Sequence, residues 1–245
     1  MEWHEWSTRL VEVLGLRKAP VAVVYTDEAD EGVEMPRCRV CSALGLAARG
    51  KTIALTAENS LCPGGSRYLG LRAEPEGVGR DLRDFLMHGE KLFSCPVAIH
   101  RMSALSRAQP PVGIAERVIL APLCQAPLRP DIVVITCNAW QAARLVNLVV
   151  FETGLPMECD PTGALCRAVI TYPLVTGKTN VSFGDVTARQ AEAVAEDELY
   201  VSLPYHDLAS VRASIDYCSA GTAPAVIPEA FRHATQEGEG KPPEA

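Results

Sequence analysis

Cys38-Arg-Val-Cys41 and Cys62-Pro-Gly-Gly65 are the two stretches whose residue types and spacing could do chemistry. Two thiolates separated by two residues can reach one metal ion or one cluster. The first pair lies near the start of a predicted helix, where unpaired backbone N–H groups favour negative charge and ease a thiol toward its thiolate. Arg37 and Arg39 push the same way. In the second stretch, Gly64 and Gly65 permit a sharp turn and free backbone N–H groups. Those groups could face cluster sulfides, or a bound anion with Arg67 as its charged partner. Against these readings stand an incidental pair of cysteines and a turn that needs glycine for geometry alone.

A fourth thiolate is expected from Cys166, with Cys159, seven residues earlier, as the runner-up. If neither ligates, three thiolates would leave one iron open to substrate or solvent. All-thiolate sites suit zinc or an iron–sulfur cluster. Structural zinc sites pair two short knuckles, and there is no second CxxC here. One pair plus single cysteines on loops therefore favours iron–sulfur, with zinc as the alternative. Nine cysteines is a high count, and a reducing compartment makes metal binding or redox chemistry a better account of it than disulfides. Cys95, Cys124, Cys137 and Cys218 are read as buried small hydrophobes.

The choice of Cys166 comes from an internal echo. Pro20-Val-Ala-Val-Val-Tyr25 is matched by Pro130-Asp-Ile-Val-Val-Ile135, and an alanine-rich helical stretch follows each, stopping at Gly50 and at Gly154. Leu61-Cys62 and Leu165-Cys166 each end twelve residues beyond that glycine. Similar segments at a fixed offset predict two similar halves related by a pseudo-twofold. The halves run over 1–112 and 113–233, and 234–245, without hydrophobic periodicity, is expected to be a disordered tail.

Several elements must position these residues. An amphipathic helix is predicted over 2–16, with Trp3, Trp6, Leu10, Val13 and Leu14 on one side. Strands are predicted at Pro20–Tyr25, Lys51–Ala57, Leu92–His100, Ile132–Thr136 and Leu199–Leu203, and the second half opens with Val118–Leu120 and a Pro-rich turn. Helices are predicted at Arg37–Arg49, Asp81–His88, Ala139–Glu152 (with Asn138 as N-cap) and Gln190–Glu196. Alternating strands and helices make this an α/β or α+β protein, with mixed sheets and flanking helices.

Charge and motifs exclude other classes. The 245-residue chain has a net charge of −7, and an acidic balance argues against a nucleic-acid partner. No secretory signal and no apolar run of spanning length is visible, so a cytoplasmic protein without a membrane partner is expected. GxGxxG and GxSxG motifs are absent; Gly45–Thr52 spells GxxxxGK[ST] but ends a predicted helix instead of opening one, so no phosphate loop is expected. His88, His100 and His206 lack metal-ligand spacing, and Gly184-Asp185 with Arg189 reads as a turn beside a solvated arginine.

These residues carry a resemblance. The Pro20 strand, the Cys38 region before the Gly50 helix, Cys62-Pro-Gly-Gly65 with Leu69-Gly70, and Ala121-Pro-Leu before Pro130 resemble the family called domain of unknown function 169, or ArCR. Gly184-Asp185 with Arg189, and Pro204, extend the likeness over most of the chain. The resemblance implies a prokaryotic, largely anaerobic setting and weight on Cys62; it supplies no reaction. The resulting expectation is an iron–sulfur protein with a redox or cluster-dependent role, ligated by Cys38, Cys41, Cys62 and Cys166. Its partner would be a small-molecule substrate or a redox protein, and self-association into a homo-oligomer is left open. The alternatives are a small-molecule-binding or regulatory module with zinc or no metal, and a Cys38–Cys41 thiol redox pair.

Overall fold

The protein is described from a computed structural model, which covers residues 2–28, 33–73, 83–105, 109–161, 163–191, 194–229 and 231. Six strands form one sheet: β1 (Val21–Thr26), β2 (Ile53–Thr56), β3 (Arg117–Pro122), β4 (Ile132–Asn138), β5 (Asn180–Ser182) and β6 (Glu198–Pro204). Their order is β2-β3-β1-β4-β6-β5. Every neighbouring pair is antiparallel, and the central pair sets Val21 opposite Val134 and Val23 opposite Ile132. The strands read as continuous apolar runs because both faces of the sheet are covered, so both sets of alternating side chains are buried.

Alternation divides the core in two. Val21, Val23, Ile53, Leu55, Val118, Leu120, Ile132 and Val134 point to one face, where they meet α2 (Val40–Ala48), the end of α3 (Pro63–Tyr68) at Leu69, and a π-helical segment Arg167–Thr171. Ala22, Val133, Ile135, Val201 and Leu203 point to the other face, against α1 (Glu2–Leu14), α5 (Ala139–Val150) and α8 (Tyr205–Ser214). On the first face Ala43, Leu44 and Ala47 of α2 follow helical spacing. On the second, Asn138 caps α5 in a full capping box with Gln141. Gly50 and Gly154 take positive φ of 102° and 61°, the left-handed conformation that ends a helix.

Two expected elements differ. Leu92–His100 is not a strand: α4 spans Pro96–Leu105, and Pro96 sits at its first position, where a missing N–H costs nothing. The expected Gln190–Glu196 helix starts earlier, as α7 (Val186–Ala191). The start of the Asp81–His88 helix and the 234–245 tail lie outside the described residues; Phe85–Gly89 forms a π-helical turn.

The strand order reads the same from either end if β1 is exchanged with β4, β3 with β6, and β2 with β5. The helices do not follow that exchange. A twofold relating antiparallel neighbours must stand perpendicular to the sheet and keep each face on its own side. Yet α2, after β1, covers the first face, whereas α5, after β4, covers the second. The echo of the two halves is carried by the strands, and the expected pseudo-twofold is not met by the helices.

Candidate cysteine site

All four expected thiol ligands belong to elements of the first face. Cys38 lies just before α2, in an isolated parallel bridge with Ser60, and exchanges backbone hydrogen bonds with the next segment. Its N–H donates to the Asn59 carbonyl at 3.3 Å, and its carbonyl accepts from Leu61 N–H at 3.0 Å. Cys62 therefore follows directly on the chain that pairs with Cys38. Cys41 is the second residue of α2, whose N-cap, Arg39, makes no side-chain cap bond.

Cys62 is itself the N-cap of α3, and its Sγ accepts the Gly65 N–H at 3.3 Å. The turn is braced from below: Ser66 Oγ donates to Ser60 Oγ at 2.7 Å and contacts the Cys62 carbonyl at 3.0 Å, while Arg72 donates to the Ser60 carbonyl. The two glycines do different work. A Cβ on Gly65 would stand 2.7 Å from Val40 Cγ2, so its bareness lets α3 approach the start of α2. A Cβ on Gly64 would meet Tyr68 Cε2 at 3.9 Å and Cys62 Sγ at 4.0 Å, ordinary van der Waals contact that needs no shift.

Cys166 arrives from the second half on a helical segment covering 165–176, which ends in α6 (Tyr172–Thr176). Asp185 Oδ2 accepts the Leu165 N–H at 2.8 Å and so caps that segment one residue before the cysteine. Gly184, at φ +72°, with Leu165 and Tyr200 against it, brings the carboxylate there. Pro173 offers no N–H to the preceding turn, and Arg167–Thr171 widens to π geometry just before it. Asn180 Nδ2 donates to the Ala168 carbonyl at 2.8 Å, and Thr171 Oγ1 donates to the Tyr68 carbonyl at 2.6 Å, which ties this segment to α3.

Two of the other cysteines act electrostatically on Cys166. The Cys166 thiol is held well above the usual thiol range, first by burial, then by the charges of Cys62, Cys41 and Asp185, with the Arg167 N–H acting against them. Tyr25, at the end of β1, faces the same way as Val21 and Val23. Burial raises its phenol above the ordinary range, and Asp131 and Cys166 add to the shift. The phenol oxygen is buried and has no hydrogen-bond partner. Sequence reading missed Tyr25, although its place in β1 puts it on the cysteine face by strand alternation.

The remaining expectations sort differently. Cys38 packs with Cys41 and Cys166 against the first-face core but is not among the charges acting on Cys166. Cys159 is exposed. Arg67 donates from Nε to Gln109 Oε1 at 2.9 Å. Arg189 is no solvated side chain: it donates to the carbonyls of Phe183, Ala195 and Glu198 at 2.9, 2.7 and 2.7 Å, clamping the turn that carries Asp185. Cys137 and Cys218 are buried in the second-face core as expected, whereas Cys95 and Cys124 are only half-buried. Cys95 precedes α4, and the N–H of Ala98, foremost, lowers its thiol below the usual range.

Among the described residues, no group of three or more His, Cys, Asp or Glu side chains is placed to hold one metal ion. A crevice of about 20 Å³, enough for a single water, opens beside Cys41 between Lys18, Arg49, Thr136 and Tyr200. No described helix is long and apolar enough to cross a membrane.

No curated protein and no solved structure matches the chain significantly. A family described as uncharacterised ArCR matches residues 9–213, a span that includes Cys38, Cys41, Cys62 and Cys166. The chain belongs to that family, domain of unknown function 169.

Proposed function

We propose that this is an iron–sulfur protein in which Cys41, Cys62 and Cys166 hold a cluster and Cys38 completes the ligand set. This reading is supported by the Cys38–Ser60 bridge, which brings the Cys62 turn beside the start of α2, and by Thr171, which ties the Cys166 segment to α3; the charges of Cys62 and Cys41 also act on the Cys166 thiol. Thiolates so arranged would repel one another, and a cationic centre would remove that conflict. The donors are thiols, the chemistry that both clusters and zinc prefer. A single zinc ion needs its sulfurs gathered at about 2.3 Å around one point, and the described donors are not gathered so. A cluster carries several irons and spreads its thiolates over a larger body.

When bound, such a cluster would supply one-electron chemistry. The chain's own residues would hold it and control access. The crevice beside Cys41, between Lys18 and Arg49, would give access, and the apolar core would lie on the inner side. The role is electron transfer or a cluster-dependent reduction in anaerobic metabolism, in the cytoplasm, with a small-molecule substrate or a redox protein as partner.

Protein purified without oxygen should be coloured, contain iron and acid-labile sulfide, and bleach with dithionite. A colourless protein with stoichiometric zinc, or one that stays stable after chelation, would select the small-molecule-binding or regulatory module instead.

A further inference from the structure

The charge of this acidic chain is unevenly placed. Between Met35 and Ala73 it carries six Lys or Arg and one acidic residue, Glu58, against a net charge of −7 for the whole. That stretch holds α2, α3 and the edge strand β2. The Cys38–Ser60 bridge draws its basic residues together: Arg37 and Arg39 flank Cys38, and Arg72 donates to the Ser60 carbonyl and, at 3.1 Å, to Ser66 Oγ. Lys51 is paired with Glu34 at 3.0 Å. Arg37 and Arg49, both exposed, have no carboxylate partner among the described residues.

Helix physics does not ask for these arginines. Arg39, the N-cap of α2, makes no side-chain cap bond, and a cation at a helix N-terminus opposes the dipole. From Arg39 to the C-cap Arg49 the helix has no charged residue, and its Ser42, Gly45 and Leu46 are only half-buried. Met35 and Leu61, on the two segments that the bridge joins, are 50% and 49% exposed. Apolar surface framed by guanidinium groups is the pattern of a protein interface, where Met and Arg are enriched and the charge lies at the rim.

We propose that this surface docks a protein whose own contact face is acidic. Arg39 and Arg49, ten residues apart on α2, stand roughly 15 Å apart, too far for one small anion to bridge. A nucleic acid running on past the patch would meet the acidic remainder of the chain. A folded partner presents its carboxylates over a limited area, and complementary charge steers its approach and fixes its register. The docking needs only charge and exposure, not the iron–sulfur reading; where that reading holds, the docked protein is the redox partner.

The test titrates a Glu-rich peptide with interspersed leucines into protein purified without oxygen, at low and at physiological salt. A single-stranded oligonucleotide and inorganic phosphate serve as comparisons. The expected result is peptide binding that weakens with salt, falls about tenfold in Arg37→Glu or Arg49→Glu, and falls less in Leu61→Ser. Arg37→Gln and Arg49→Gln, which remove the charge without reversing it, should move binding the same way by less. Lys178→Glu, at an exposed site just before β5 on the far edge of the sheet, should leave binding unchanged. No peptide binding, or binding indifferent to the arginines, overturns the inference. So does tighter binding of the oligonucleotide, or displacement of the peptide by stoichiometric phosphate, which would make the patch a nucleic-acid or small-anion site. Iron per chain is read separately: protein that binds the peptide without iron overturns only the iron–sulfur reading, and protein with iron that ignores the peptide overturns only the docking.

Discussion

Each face of the sheet carries a thiol raised above its ordinary range, and the two sit in different company. On the second face Cys137 is surrounded by Val133, Ile135, Leu145 and Val201, and burial foremost pushes its thiol up to about 12. On the first face Cys166 is raised by burial and also by two other cysteines. The architecture differs in the same sense. The second face is covered by three helices of 13, 12 and 10 residues, α1, α5 and α8. The first has a nine-residue helix, a six-residue helix and a π-helical segment. Long helices bury a continuous stripe and need little beyond helical spacing. Short and widened ones survive only through side-chain caps and cross-links such as Asp185 to Leu165 and Thr171 to Tyr68. The second face is built for packing, and the first places sulfur.

The largest contrast should come from the first face. Cys62→Ser or Cys41→Ser is expected to abolish most iron binding, read as iron per chain, while Cys159→Ser leaves it unchanged. Next is Arg144 on α5, which donates to the carbonyls of Val13, Ala220 and Gly221 at 2.8, 2.6 and 3.0 Å and ties α1 and the chain after α8 to the second face. Arg144→Ala should cost about 3 kcal/mol in denaturant unfolding, since three carbonyls lose a charged donor, with iron content intact.

Gly65→Ala should cost about 2 kcal/mol by crowding Val40, whereas Gly64→Ala should stay within about 0.5 kcal/mol. Equal effects at the two glycines would remove the distinction between a packing glycine and an open one.

The pH dependence separates the two thiols. Cys137 titrates at about 12 in the fold against 9.0 for the free thiol, so the fold favours the protonated form. Its contribution is fully present below the free value and is lost as pH rises toward the folded one, by at most about 1.4 kcal/mol per pH unit. Metal-free Cys166 is raised too and adds to that alkaline loss. With iron bound it is already deprotonated, so loaded protein should lose stability less steeply above 9.0 than metal-free protein. Parallel profiles would show that Cys166 does not ligate. Since binding displaces its proton, loading itself should improve as pH rises.

What could be read from the sequence follows the same division. The apolar strands, the capping box at Asn138 and the helix-ending glycines at 50 and 154 are local signals, and they located β1, β4, α2 and α5. The Cys38 to Cys62 neighbourhood was legible too, because the strand after α2 had to return the chain. The face on which each helix packs is not a local property, and so the echo between halves was taken for a twofold. Leu92–His100 misled because its apolar residues suit a buried strand or a helix equally, and Pro96 was read as a strand edge instead of a helix start. Cys166 was legible only by its offset from Gly154. The Asp185 cap that places it depends on a contact across 20 residues.

Iron and acid-labile sulfide per chain, measured side by side in Cys166→Ser and Cys137→Ser proteins purified without oxygen, test the division most directly. The account predicts that the serine at 166 strips the centre while the serine at 137 keeps it and costs only about 1–2 kcal/mol of stability. Equal iron in both proteins would contradict it.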